Sequence, residues 1–188
     1  ASGKGTLASA VAIALGYHFL DSGALYRATA LAARQADVAE TDEAGLAAVA
    51  SGLRLRFTGH EIWLGDVEVS DDLRREDIGA MASKVSAFPS VRDALRALQL
   101  SHRRLPGLVA DGRDMGTVIF PAADLKVFVT ASAAVRAERR HKQLISKGIP
   151  ANIDSLRADL EARDARDQNR VVSPLKPAEG AVLLDNSD

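Results

Sequence analysis

Leu7, Ala10, Val11 and Ala14 recur at i, i+3, i+4 and i+7, the spacing of one helix face, which predicts a helix from about Lys4 to Gly16. Tyr17-His18-Phe19-Leu20 is apolar but too short for a helix, and it reads as a buried strand ending in Asp21-Ser22-Gly23. Residues 24–36 return to a helical pattern, and the polar stretch 37–42 marks a boundary. Thr41 is the expected cap of a helix that stops at Ser51-Gly52. Beyond it the period falls to two. Leu53, Leu55 and Phe57 share one face, and Arg54 and Arg56 the other. Gly65-Asp66 between Ile62-Trp63-Leu64 and Val67-Glu68-Val69 predicts a two-residue hairpin, with Leu64 facing Val67 and Ile62 facing Val69.

Ser70 is placed to cap the next helix, with an apolar stripe of Ile78, Met81, Ala82 and Val85 and a stop at Phe88-Pro89. Ser90 should open another, with Asp93 as its capping-box acid and Val91, Ala94, Leu95 and Leu98 on one face. Pro106-Gly107 lies beyond its end. Short apolar strands are expected at 108–110, 125–129 and 181–184, separated by helices at about 133–148 and 155–169. Strands alternating with helices predict an α/β fold, a parallel sheet covered on both faces. With one strand expected upstream of Ala1, the sheet has five strands, and the antiparallel segment reads as an insert. Ligands of such sheets gather beyond the carboxyl ends of the strands. Asp21-Ser22-Gly23, Gly112-Arg113-Asp114 and Gly3-Lys4 should share that edge.

Composition narrows the classes. The 188 residues are 47% hydrophobic and 26% charged, which fits a packed domain with an insertion. A net charge of -1 argues against bulk nucleic-acid binding. The chain has no cysteine, so disulfides, zinc–thiolate sites and cysteine nucleophiles are excluded, and a reducing cytoplasmic setting fits. No apolar run approaches the ~20 residues of a membrane helix, and the first residues lack signal-peptide character. A cytoplasmic monomer with neither a nucleic acid nor a membrane as partner is expected.

The candidate chemistry begins at Ser2-Gly3-Lys4-Gly5-Thr6, which has the form of the second half of a phosphate-binding loop. In such loops glycines let backbone N–H groups close on a polyphosphate, a lysine reaches the outer phosphates, and the following helix adds its positive end. Taken alone, the match is weak, and a Gly/Ser-rich tail is the better reading. A second cluster is cationic: Arg27 one turn past Gly23, Arg113 past a strand, and Arg163, Arg166 and Arg170 at i, i+3 and i+7, with Asp167 four residues after Arg163. Taken alone, the last set reads as surface ion-pair partners. So do Arg136, Arg139 and Arg140. His18, His60, His102 and His141 fall in no motif and read as structural.

Together the segments Gly3-Lys4-Gly5-Thr6, Leu20-Asp21-Ser22-Gly23-Ala24-Leu25-Tyr26-Arg27, Ala87-Phe88-Pro89-Ser90-Val91-Arg92, Asp111-Gly112-Arg113-Asp114-Met115-Gly116-Thr117 and Arg163-Asp164-Ala165-Arg166-Asp167-Gln168-Asn169-Arg170 resemble those of the bacterial cytidylate kinases. They occur in that family's order and span nearly the whole chain. The resemblance implies the nucleoside-monophosphate kinase fold and transfer of the γ-phosphoryl of ATP to CMP or dCMP with Mg²⁺. It implies ATP contacts from Ser2, Gly3, Lys4, Gly5 and Thr6. It implies that Ser22, Arg27, Arg113 and Arg170 grip the CMP phosphate, beside Gly112. Ser83, Arg92 and Asp114 would read the base, and Arg163 and Asp167 would approach the ribose. Lys4, Arg113 and Arg170 would be catalytic. Gly5 stands where many such loops carry a magnesium-ligating hydroxyl, so no metal ligand is assigned and waters would fill much of the shell.

The resemblance also divides the chain into a core (1–36, 107–133, 171–188), a monophosphate-binding part with the β insert (37–106) and a lid (134–170). The alternatives are a kinase acting on UMP, AMP or a non-nucleotide, and a non-catalytic nucleotide-binding module if the loop truly begins at Ala1.

Overall fold

The computed structural model describes residues 2–58 and 61–187. His60 therefore lies outside the described residues. The chain divides into two compact units, Gly16–Gly112 and Ala1–Leu15 with Arg113–Asp188.

In the first of these, β1 (His18–Asp21) pairs in parallel with β5 (Leu108–Asp111), with Leu20 opposite Ala110 and Asp21 opposite Asp111. Between them come α2 (Ser22–Gln35), α3 (Glu43–Ser51), the antiparallel strands β2 (Leu55–Thr58), β3 (Glu61–Leu64) and β4 (Val67–Glu68), then α4 (Glu76–Val85) and α5 (Pro89–Ser101). Leu20, Leu25, Leu46, Leu73, Ile78, Val85, Val91 and Leu95 are almost wholly buried. They are the apolar positions of the helical and strand patterns, so burial of these stripes holds the unit together. The predicted hairpin is present: Leu64 faces Val67, Val69 N–H donates to the Ile62 carbonyl at 2.8 Å, and Gly65 takes φ of 61°. That positive φ is why a glycine serves at the turn.

The predicted caps shift. Asp42, not Thr41, caps α3 by accepting from Gly45 N–H. Ser70 caps no helix, because its hydroxyl accepts from Ile62 N–H across the insert. A 3₁₀ turn over Asp72–Arg74 precedes α4. Ser90 lies inside α5, which begins at Pro89, and its hydroxyl donates to Glu43 of α3. For Ser70 and Ser90 a longer-range polar partner outcompetes the local turn.

The second unit holds α1 (Lys4–Leu15), a π-helical turn (Met115–Ile119), β6 (Val127–Thr130), α6 (Ala133–Ser146), α7 (Ile153–Gln168) and β7 (Val182–Asp185). β6 and β7 are parallel, with Val127 opposite Val182. Ser132 and Asn152 cap α6 and α7, and these helices pack through Ala137, Leu144 and Leu156, with Ala151 and Leu160 against them. The structure is thus α/β, with parallel strand pairs and flanking helices, consistent with the nucleoside-monophosphate kinase fold. Coverage of both sheet faces is not uniform. Leu20 of β1 is fully buried, but all four residues of β7 are exposed. Of the Leu7, Ala10, Val11 and Ala14 stripe of α1, none is buried; Ala12 is.

Candidate active site

In the unit 16–112, Asp21 ends β1 and its carboxylate accepts from Ala24 N–H, which starts α2 at Ser22. Ser22 is therefore fixed in the first helical turn, 2% exposed, and its hydroxyl donates to Gln99 Oε1 of α5 at 2.8 Å. Arg27, one turn further on, donates to the Leu73 carbonyl at 3.1 Å. Arg92 is buried on α5. It donates to the Ser86 carbonyl at 2.8 Å, and its guanidinium lies 5.6 Å from the Tyr26 ring centroid, within cation–π range. Ser83 is buried on α4, and its carbonyl accepts from the Ser86 hydroxyl. Four expected acceptor-site residues thus lie on α2, α4 and α5 of one unit, with an amide oxygen and backbone carbonyls among their partners. Gly112 closes the unit just after β5.

The other unit carries the charges. Asp167, 2% exposed, accepts from Arg113 Nε at 3.0 Å and from Arg170 Nη2, with Arg163 Nε at 3.9 Å. Arg163 and Asp167 are one turn apart on α7, and Arg170 lies just past its end. Burial pushes the Asp167 carboxyl upward, but the guanidiniums of Arg113, Arg170 and Arg163 and the Arg170 hydrogen bond outweigh it and hold it below the ordinary value. Three guanidiniums around one carboxylate leave a surplus of positive charge, and guanidinium forks match phosphate geometry. Arg170 Nε is buried with no hydrogen-bond partner among the described residues. Asp114 is buried, and its carbonyl accepts from Val118 N–H at 2.9 Å as the π-helical turn begins. Arg166 is exposed. Arg136 pairs with Asp164 of α7, a partly buried contact between helices rather than the surface pair expected along its own helix.

Lys4 is the first residue of α1 and half-buried. Before it Gly3 has φ of 81°, and a Cβ there would stand 2.7 Å from Asn186 Nδ2. Asn186 donates to the Ser2 carbonyl at 2.7 Å, while its own carbonyl accepts from Arg139 of α6 at 2.8 Å. Among the described residues no three His, Asp or Glu side chains converge as a metal cage.

The sequence reading missed Gln99, Tyr26 and Asn186. Gln99 was findable: it is the polar residue that follows Val91 and Leu95 at i+8 and i+4 on the buried face of α5. Asn186 carried no signal, since its partner is 184 residues away in sequence.

A helix opening on Gly-Lys, serine and arginines at strand and helix ends, and a guanidinium cluster around one carboxylate define an α/β protein built to handle phosphates. The whole chain, residues 1–188, matches the family model for cytidylate kinase. It is 61% identical over 188 residues to a cytidylate kinase of Cupriavidus pinatubonensis, covering all of this chain and 85% of the relative. It is 59% identical to that of Cupriavidus necator over the same shares. To that of Bordetella bronchiseptica it is 54% identical over 187 residues, all of this chain and 84% of the relative. The chain belongs to the cytidylate kinase family.

Proposed function

We propose that this protein transfers the γ-phosphoryl of ATP to CMP or dCMP, giving ADP and CDP or dCDP. The match of the whole chain to the family carries this reading, and the arginine cluster supports its chemistry. The acceptor is a phosphate that is already ionised near neutral pH, so no serine, cysteine or histidine nucleophile is required. Catalysis then consists of positioning and charge neutralisation. Lys4 and the backbone N–H groups of residues 2–6 hold the ATP phosphates. Arg27, Arg113 and Arg170 hold the CMP phosphate, with Ser22 and Gly112 beside it. Asp167 aims the guanidiniums before the substrate arrives, which lowers the ordering cost of binding. Arg163 and Asp167 meet the ribose.

Ser83, Arg92 and Asp114 read the base. Cytosine presents an amino donor at N4 and acceptors at N3 and O2, and uracil reverses N3 and position 4. A carboxylate accepting from N4 and a guanidinium donating to N3 or O2 favour cytosine. When bound, magnesium would supply charge neutralisation on the transferring phosphates. Gly5 offers it no side-chain ligand, so no residue is assigned to hold it and waters would fill much of its shell.

The core, monophosphate-binding and lid segments carry over as part of this reading. The α6–α7 pair has its own small apolar core, which suits a lid. Hydrogen exchange in 37–106 and 134–170 should slow when CMP and a non-hydrolysable ATP analogue are both present. The cytoplasm is the proposed setting, and a monomer the proposed state. No helix among the described residues is long and apolar enough to cross a membrane. The deciding experiment is a coupled assay of ADP formation with CMP, dCMP, UMP and AMP. CMP and dCMP should turn over well ahead of the others, and equal turnover of UMP would defeat the base assignment.

A further inference from the structure

Gln99 has a place in the structure that the reaction so far leaves unused. It is fully buried, 0% exposed, on the face of α5 that also buries Val91, Arg92 and Leu95. A buried amide in such a setting is costly unless both its ends are satisfied. Its Oε1 accepts from the Ser22 hydroxyl at 2.8 Å, and its Nε2 faces the Leu95 carbonyl one turn earlier at 3.5 Å. The second contact is long and weak, but it fixes the sense of the amide. Turned over, the amide would set its oxygen against the Leu95 carbonyl, two acceptors facing each other. The oxygen therefore stays toward Ser22.

A serine hydroxyl has one proton and two lone pairs. With the proton given to Gln99, Ser22 Oγ offers only lone pairs in any other direction. We propose that Gln99 is a positioning residue for CMP: it fixes the Ser22 side chain and presents its oxygen to the bound nucleotide as a hydrogen-bond acceptor. This rests on the reading of Ser22 as part of the CMP site and sharpens it. A phosphate oxygen is itself an acceptor, so Ser22 meets a donor, either a hydroxyl or amino group of the nucleotide or a guanidinium that holds its phosphate. The phosphate grip then falls to the arginines alone.

The test is a kinetic double-mutant cycle with Ser22→Ala and Gln99→Met, the latter close in size to glutamine but without the acceptor. Losing one such hydrogen bond corresponds to a KM for CMP raised about 10-fold, with the KM for ATP unchanged. In the Ser22→Ala background, Gln99→Met should add less than about 2-fold, because the two residues act as one unit. Gln99→Glu, buried and so held in its protonated form, keeps the accepting oxygen toward Ser22, gives an O–H to the Leu95 carbonyl, and should leave the KM for CMP within about 3-fold of wild type. If the two single effects multiply in the double variant, or if both KM values rise together, Gln99 is only a packing residue and the proposal is wrong. It is equally wrong if Gln99→Glu behaves as Gln99→Met does. Should Gln99→Met not fold, Gln99→Leu takes its place in the cycle and the same criteria apply. Wild-type protein that fails to phosphorylate CMP overturns the functional reading itself. A working wild type with multiplicative variants overturns only the role of Gln99.

Discussion

The two units hold their functional side chains by opposite means. In the unit 16–112, Ser22, Arg27 and Arg92 are held by an amide oxygen and two backbone carbonyls, and the surroundings are an apolar core. In the other unit, Arg113, Arg163 and Arg170 are held by a single buried carboxylate, and the apolar core nearby is little more than the α6–α7 contact. The first arrangement survives the loss of any one polar partner at modest cost. The second does not, because removing its centre leaves like charges confined together. The unit with the weaker apolar core thus depends more heavily on one electrostatic contact.

Asp167→Ala should therefore have the largest effect. Removing one side of a buried ion pair costs about 3–5 kcal/mol, which for a chain of this size is a fall in Tm of about 10 °C. Thermal unfolding followed by circular dichroism reads it. A fall of less than about 2 °C would mean that the guanidiniums relax into solvent and that the contrast between the units is false. The pH dependence gives a second reading. The folded-state pKa of Asp167 is depressed, so its contribution is complete above the ordinary aspartate value of about 3.9 and is lost as pH falls through the lower folded value. Wild type should therefore lose stability in acid, below about pH 4. Asp167→Asn should lack that component and be little changed in its pH profile from pH 5 to pH 8.

Arg92→Met tests the other unit. It removes the bond to the Ser86 carbonyl and the approach to Tyr26, both uncharged groups. A cost of about 1–3 kcal/mol in CMP binding follows, read as a KM raised about 10- to 100-fold, with a smaller change in Tm than Asp167→Ala produces. The preference for CMP over UMP should narrow as well. If Arg92→Met lowers Tm as far as Asp167→Ala does, the two units are not held differently in the sense described.

How much of this was legible in the sequence follows the same divide. The helices and strands of the unit 16–112 could be read largely from apolar spacing, because Leu20, Ile78, Val85, Val91 and Leu95 face a core that their period already implies; the α1 stripe of Leu7, Ala10, Val11 and Ala14 was read by the same rule, yet none of it is buried. Lys4, Ser22 and Arg113 stood out because motif order places them at helix starts and after a strand, and Arg27 and Arg170 because the same motifs carry them. The caps at Ser70 and Ser90 were misjudged since a hydroxyl near a helix start has several partners, and the choice depends on residues such as Ile62 and Glu43 that reach it only in the fold; at Thr41 the neighbouring Asp42 is the cap. The π-helical turn at Met115–Ile119 has no periodic signature. Nor could the spacing show that Asp167 gathers Arg113 as well as its helix neighbours, 54 residues away.

The smallest expected effect separates burial from charge as the source of the difference. Asp77 of α4 is also a carboxylate between guanidiniums, Arg75 and Arg34, and hydrogen bonds from those two, Arg75 the stronger, hold its carboxyl far below the usual range. By charge alone it resembles Asp167. Its side chain is 45% exposed, however, against 2% for Asp167, so water and ions screen the attraction. Asp77→Asn should shift Tm by no more than about 3 °C at low salt. In 1 M salt, where the screening length is about 3 Å, even that shift should vanish. The penalty of Asp167→Asn should persist there, because mobile ions do not reach a buried carboxylate. Equal salt sensitivity of the two variants would show that the Asp167 cluster is solvated in the working protein, and its guanidiniums would then have to be ordered by the incoming phosphate rather than held ready for it.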